Sequence, residues 1–432
     1  MAQQRPNILY LHSHDTGRYI QPYGHAVPTP NLQALAEEGV LFRQCFCAGP
    51  TCSPSRAALL TGMCPHSNGM VGLAHRKFRM NDYSQHFVHT LRKAGYLTAL
   101  SGVQHEAEKP ETIGYDRILA PKGKELEPAI EFLRGQPAQP FFLSVGFGQT
   151  HRRFPEDHPL DDARYCLPPA PLPDTPQTRE DMARFKASAR ELDARMGAVL
   201  DALRQSGLAD HTIVVCTTDH GIAFPRMKCT LYDSGIGVML IMRGPNGWSG
   251  GKVVDGMVSH VDLFPTLCEL AGLEKPAWLQ GVSFAPLVRG EHSDVREEVF
   301  AEVNYHAQYE PMRCARTKRW KYIVRYEERP GPALANCDDS PSKDVWVAHG
   351  WASRKPLMEE LYDLVFDPHE ARNLAGDPSA VSALAEMRER LRRWMEATDD
   401  PLLKGGPVPA PKGALVNRPD SVSPSDELKI VM

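Results

Sequence analysis

Asn7-Ile8-Leu9-Tyr10-Leu11, closed by Pro6 before it and by His12-Ser13-His14-Asp15 after it, is a short apolar run with no polar alternation. Such a run reads as a strand buried on both faces, which is how strands of a helix-covered parallel sheet read. The same texture recurs downstream at 97–100, 140–146, 212–217, 237–243 and 252–258. Helical segments fall between these runs. Residues 30–39 place Leu32, Leu35 and Ala36 on one face and stop at Gly39; 53–61 carry Pro54 in the first turn; 181–206 and 261–272 are helical by period. This alternation predicts an α/β fold, a large mixed and mostly parallel sheet sandwiched by helices.

Beyond residue 290 the texture changes. Residues 316–326 alternate basic and aromatic side chains, as in an antiparallel strand or hairpin, and 377–396 form a charged amphipathic helix opened by Pro378. The expected division is a large α/β domain over 1–292, a smaller α+β subdomain over 293–400, and an extended tail over 401–432.

The bulk numbers exclude some functions. Among 432 residues, 42% are hydrophobic and the net charge is -4, so no basic field is present to draw nucleic acid or an anionic membrane surface. An anionic substrate needs positive charge gathered inside a pocket. The N-terminal residues lack the pattern of a signal peptide, and no apolar run is long enough to span a membrane. The ten cysteines form no C-x-x-C pair, which fits reduced thiols and a cytoplasmic location.

Three polar segments follow predicted strands, where ligands bind in open α/β sheets. They are His12-Ser13-His14-Asp15, His151-Arg152 and Thr218-Asp219-His220-Gly221. Asp15, Asp219, His14 and His220 make a mixed oxygen and nitrogen set suited to a divalent metal. The plainer alternative is that the two acids cap helices and the histidines bond loops.

Cys52-Ser53-Pro54-Ser55-Arg56, followed by Ala57-Ala-Leu-Leu-Thr-Gly62, resembles the sulfatase signature of the alkaline-phosphatase-like superfamily. Asn7-Ile-Leu, Pro28-Thr-Pro-Asn-Leu, Thr217-Thr-Asp-His-Gly, Val261-Asp-Leu-Phe-Pro-Thr-Leu and Glu360-Leu-Tyr-Asp-Leu resemble further sulfatase blocks in the same order. Asn68-Gly-Met-Val-Gly-Leu-Ala-His75 and the segment from Ala223 to Asp233 are similar to the heparan N-sulfatase branch. The resemblance implies hydrolysis of a sulfate ester or N-sulfate, with a sugar as the expected carrier. It implies conversion of Cys52 to formylglycine by a formylglycine-generating enzyme, and one divalent ion, Ca²⁺ or Mn²⁺, held by His14, Asp15, residue 52, Asp219 and His220. Cys52, Arg56, His105, His151 and Lys228 take catalytic positions; His75, Arg76 and Arg152 are candidates for binding substrate.

The implied chemistry fits these residue types. A hydrated aldehyde has two hydroxyls on one carbon: one attacks sulfur, and the other collapses to expel sulfate from the covalent intermediate. Residue 52 would open a helix whose free N–H groups favour anionic oxygens, with Arg56 one turn on.

The sequence departs from the family pattern twice. His14 stands where sulfatases carry a first acid, so imidazole at positions 14 and 220 favours Mn²⁺, Zn²⁺ or Fe²⁺ over Ca²⁺. Gly102-Val103-Gln104-His105 has Val103 in place of a lysine, with Lys109, His75 or Arg76 as possible replacements. A phosphodiesterase or phosphonate monoester hydrolase on the same scaffold, and a non-catalytic binder of sulfated ligands, remain alternatives. Tyr305, His306, Arg313, Trp346 and His349 are read either as pocket lining or as packing, and homo-oligomerisation stays open.

Overall fold

The computed structural model describes residues 5–431. The first ten strands are β1 (Asn7–His12), β2 (Val40–Phe42), β3 (Cys45–Phe46), β4 (Leu97–Gly102), β5 (Arg117–Pro121), β6 (Phe141–Gly146), β7 (Thr212–Thr217), β8 (Leu240–Arg243), β9 (Lys252–Val254) and β10 (Val258–Ser259). Eight of them form one sheet in the order β5-β4-β6-β1-β7-β8-β2-β9, while β3 pairs with β10. Within the large sheet only β8 runs antiparallel to its neighbours, β7 and β2.

Every residue of β1 is buried. Ile8 and Tyr10 enter one apolar core, and Leu9 and Leu11 enter the other, because successive strand side chains alternate between faces. β7 repeats the pattern, with Ile213 and Val215 on the first face and Val214 and Cys216 on the second. The helices Cys52–Thr61, Phe87–Lys93 and Leu263–Leu270 cover the first face through Leu59, Leu60, Phe87, Phe264 and Leu267. Pro30–Glu38, Leu126–Arg134 and Pro176–Gln205 cover the second. The predicted α/β sandwich is therefore the observed fold.

Register decides where the polar residues go. His12 aligns with Gly146 of β6 and with Thr217 of β7, so the carboxyl ends of the three central strands lie level. The segments that follow must emerge side by side. Gly146 is required here: a Cβ would sit 2.1 Å from the Val103 carbonyl oxygen and 2.5 Å from the His12 ring.

The remaining chain forms β11 (Glu298–Tyr305), β12 (Tyr309–Thr317), β13 (Trp320–Arg325) and β14 (Glu359–Asp363), an antiparallel sheet in that order. Helix Val381–Ala397 covers one face with Leu384, Met387, Leu391 and Met395. The other face, with Val299, Ala301, Val303, Met312 and Ile323, merges into the core of the large sheet. The two sheets thus share apolar packing. The tail folds into β15 (Leu415–Asn417) and β16 (Leu428–Ile430), an antiparallel pair.

Two strand expectations need correction. The run at 252–258 breaks into β9 and β10, and the strand expected from 237 begins at Leu240. Among the described residues no helix is long and apolar enough to cross a membrane.

Candidate active site

The level strand ends bring the three polar segments into one nest of backbone bonds. Ser13 N–H donates to the Thr217 carbonyl at 3.1 Å, His14 N–H to that of Gln149 at 2.9 Å, and Gly17 N–H to that of His220 at 2.9 Å. Asp15 adopts a left-handed backbone, φ 55°, and its N–H donates to Asp219 Oδ1 at 2.8 Å. Asp is among the few non-glycine residues that enter this left-handed region, because its short side chain can bond locally.

Helix Cys52–Thr61 points its first residue into this nest. The Cys52 Sγ lies 3.3 Å from His220 Nε2. His14 Nδ1 is 2.7 Å from Asp15 Oδ1 and 3.2 Å from Asp219 Oδ2; His220 Nε2 is 3.4 Å from Asp15 Oδ1. Donor atoms of His14, Asp15, Cys52, Asp219 and His220 all lie within 4.8 Å of one another, and all five residues are buried. Separations near 3 Å are the edges expected between ligands of one ion bound at about 2.0–2.4 Å. This donor set fits a divalent cation.

Two cations brace the acids. Arg56 Nη2 donates to Asp219 Oδ2 at 2.9 Å and to the Ser13 carbonyl at 2.8 Å, while Nη1 lies 2.5 Å from His12 Nδ1. Its Nε is buried with no acceptor. Lys228 Nζ donates to Asp15 Oδ2 at 2.9 Å and lies equally close to Asp338.

These contacts set the protonation states. Burial opposes ionisation of Asp15, but the charges of Lys228 and the surrounding histidines overcome it and hold the carboxyl well below its ordinary value. Asp219 is lowered in the same way against burial, by His220, His14 and Arg56. Burial pushes His14 down to about 4 despite both acids, leaving a neutral ring with a lone pair to give. Burial drives the Cys52 thiol well above its ordinary value, so the unmodified side chain is a poor nucleophile.

The solvent side of the cluster is lined by histidines. His151 stands edge-on to His14 with ring centres 4.6 Å apart. His105, at φ 68°, lies 5.9 Å from His14 by ring centre and bonds His75 Nδ1 through Nε2 at 2.9 Å.

The structure therefore gathers Cys52, Arg56, His14, Asp15, Asp219, His220 and Lys228, with His105, His151 and His75 around them. It directs the two arginines suggested for substrate elsewhere. Arg152 forms a bidentate pair with Asp181, at 2.6 and 2.8 Å, and donates Nε to the Ala223 carbonyl. Arg76 bonds the Ala307 carbonyl in the turn between β11 and β12 and holds the C-terminal tail through Asn417 and Pro424. The bonding donors of both guanidinium groups are already engaged by protein acceptors. Of the residues left between lining and packing, Tyr305 bonds the Val408 carbonyl and Arg313 is locked between Glu302 and Asp400. His349 sits exposed at a helix end, and Trp346 packs beside Trp351.

Two neighbours of the cluster, His12 and Asp338, are not singled out as site residues by the sequence. His12 belongs to the polar segment after the first strand but carries no assigned role there, and it faces Arg56. Asp338 lies in an ordinary-looking Asp-Asp pair, and only folding carries it to Lys228. His306, read as either pocket lining or packing, is buried with an unpartnered Nδ1, near Lys228 and Asp338. No local pattern marks His12 or Asp338 as part of the site.

Comparison with known proteins gives a consistent family. The sulfatase family model matches residues 6–273, and a model of the N-sulphoglucosamine sulphohydrolase C-terminal region matches 220–345. Human N-sulphoglucosamine sulphohydrolase is 30% identical over 96% of this chain and 94% of its own length. An ulvan-active sulfatase of Formosa agariphila is 28% identical over 92% of this chain and 76% of its own. Among solved structures, one in complex with its substrate D-glucosamine-2-N,6-O-disulfate has the same fold, with a TM-score of 0.72 at 20% identity over 92% of this chain and 99% of that one. The chain belongs to the sulfatase family of hydrolases.

Proposed function

We propose that the protein is a formylglycine- and metal-dependent sulfatase that cleaves a sulfate ester or N-sulfate of a sugar through a covalent sulfated intermediate. The observation that carries this reading is the convergence of residue 52, at a helix start, with two acids and two histidines in one buried nest. The sugar is suggested by the name and 30% identity of the human N-sulphoglucosamine sulphohydrolase.

Asp15, Asp219, His14 and His220 would hold the ion. When bound, the ion would neutralise the paired acids and acidify a hydroxyl beside it. Residue 52, as formylglycine, would supply that hydroxyl from its hydrated aldehyde. Arg56 and Lys228 keep both acids ionised and aimed inward, and their charge offsets that of the incoming sulfate. His105 and His151, on the open side, would give a proton to the leaving oxygen or nitrogen.

The test pairs a peptide mass at residue 52 with turnover of an aryl sulfate, N-sulfoglucosamine and a phosphodiester. Formylglycine at residue 52 and preference for a sulfated compound are expected. Full activity with an unmodified cysteine, or a phosphodiester as the best substrate, overturns the reading.

A further inference from the structure

The two buried cations of the active centre are committed to carboxylates, Arg56 to Asp219 and Lys228 to Asp15 and Asp338. The first uncommitted positive charge lies outside them. A cleft beside the centre is lined by Lys122, Gln149, His151 and Arg153, among others. It joins the active centre through His151, whose ring stands against His14.

Topology puts Lys122 there. β5 runs parallel to β4, with Pro121 level with Gly102, so Lys122 leaves the sheet beside Val103 at the same end as the catalytic loops. Its stem crosses Gly148, where a Cβ would lie 3.1 Å from Lys122 Cε. Arg153 leaves the loop after β6. Lys122 and Arg153 are exposed, and among the described residues neither makes an ion pair or a side-chain hydrogen bond. The other cations of the cleft are neutralised: Arg152 by Asp181 and Arg195 by Glu125. Lys122 also adds to the field on His75 at the rim.

We infer that Lys122 and Arg153 form a subsite for a second acidic group, a carboxylate or a further sulfate, on the sugar unit next to the one carrying the scissile sulfate. A singly charged substrate is served by the buried centre alone. A second anion beside His151 meets two free donors, one a point charge and the other a planar fork that can grip a carboxylate or sulfate through two bonds. Gln149, on the same wall, donates to Glu191 and so does not compete for the anion. The inference rests on the sulfatase reading for the identity of the scissile group.

The test separates the two ideas. Binding of a sulfated disaccharide bearing a uronate carboxylate is measured by calorimetry without turnover, in chelator. The same disaccharide with its carboxylate reduced to an alcohol, and one with a sulfate in place of the carboxylate, complete the set. Wild type is expected to bind the two acidic forms about tenfold more tightly than the reduced form at low salt, with the ratio shrinking as salt rises. Lys122→Ala combined with Arg153→Ala should erase the ratio, and Lys122→Glu should invert it. Both positions are exposed, so an unchanged melting temperature confirms that the variants are folded. A ratio near one in wild type, or one that survives the double variant, overturns the subsite. Turnover of the reduced disaccharide with added metal reads the sulfatase activity separately.

Discussion

Lys228 places its ammonium 2.9 Å from the carboxylate of Asp15, with both side chains removed from solvent. Neither charge would be tolerated alone, because moving an isolated ion from water into the interior costs several kcal/mol. Lys228→Met should therefore leave the buried Asp15 and the partly buried Asp338 without their shared cation. A loss of about 3–5 kcal/mol is expected, read as a lower denaturant midpoint, together with loss of turnover. Asp338→Asn should cost less, since Lys228 keeps Asp15. A Lys228→Met protein as stable as wild type would refute the pairing.

Cys52→Ala should abolish turnover while the fold survives. The change removes one sulfur atom from a helix start that is otherwise well packed, so the expected cost is about 1 kcal/mol. Circular dichroism melting and steady-state turnover check the two halves independently. Wild-type activity in this variant would end the proposed role of residue 52.

Asp219→Asn should weaken metal retention by at least about tenfold, judged by elemental analysis after dialysis. The variant also loses the charge that Arg56 bonds. Because two imidazoles face the nest, Mn²⁺ added after chelation should restore more activity than Ca²⁺. Unchanged metal content would count against the ligand set.

Acid should destabilise the fold below neutrality through His86. This ring is buried, accepts from the Val88 N–H through Nδ1, and is pushed down to about 3 by burial. Its folded value lies below its unfolded value near 6.5. The unfolded chain therefore binds the proton first as pH falls, and stability is lost between pH 6.5 and about 3. His86→Asn keeps an acceptor for Val88 and removes the titration. Its melting temperature should vary less with pH over that window than wild type's, by an amount reflecting a few kcal/mol. Identical pH slopes would contradict the assignment.

Much of the site was legible because its parts are local. The five residues from Asn7 announce a strand buried on both faces, and a strand end announces where polar residues collect. Cys52 through Arg56 carries its own helix start, so residue 52 and Arg56 are one turn apart in any fold that forms the helix. His14, Asp15, Asp219 and His220 were found by position after strands rather than by mutual distance.

What the sequence alone determined is the set of local units: apolar runs of strand length, amphipathic helices, and the polar residues at their ends. Periodicity and capping act within a few residues, so they can be read without the fold. Only the tertiary structure decided which charges meet. Level register of β1, β6 and β7 brought residues some two hundred positions apart to within 3 Å, and the packing of the chain after β13 placed Asp338 on Lys228. The same packing turned Arg76 and Arg152 away to the tail and to Asp181. Which partner an arginine or acid takes depends on burial and distance in three dimensions, and neither quantity is encoded in its immediate neighbours.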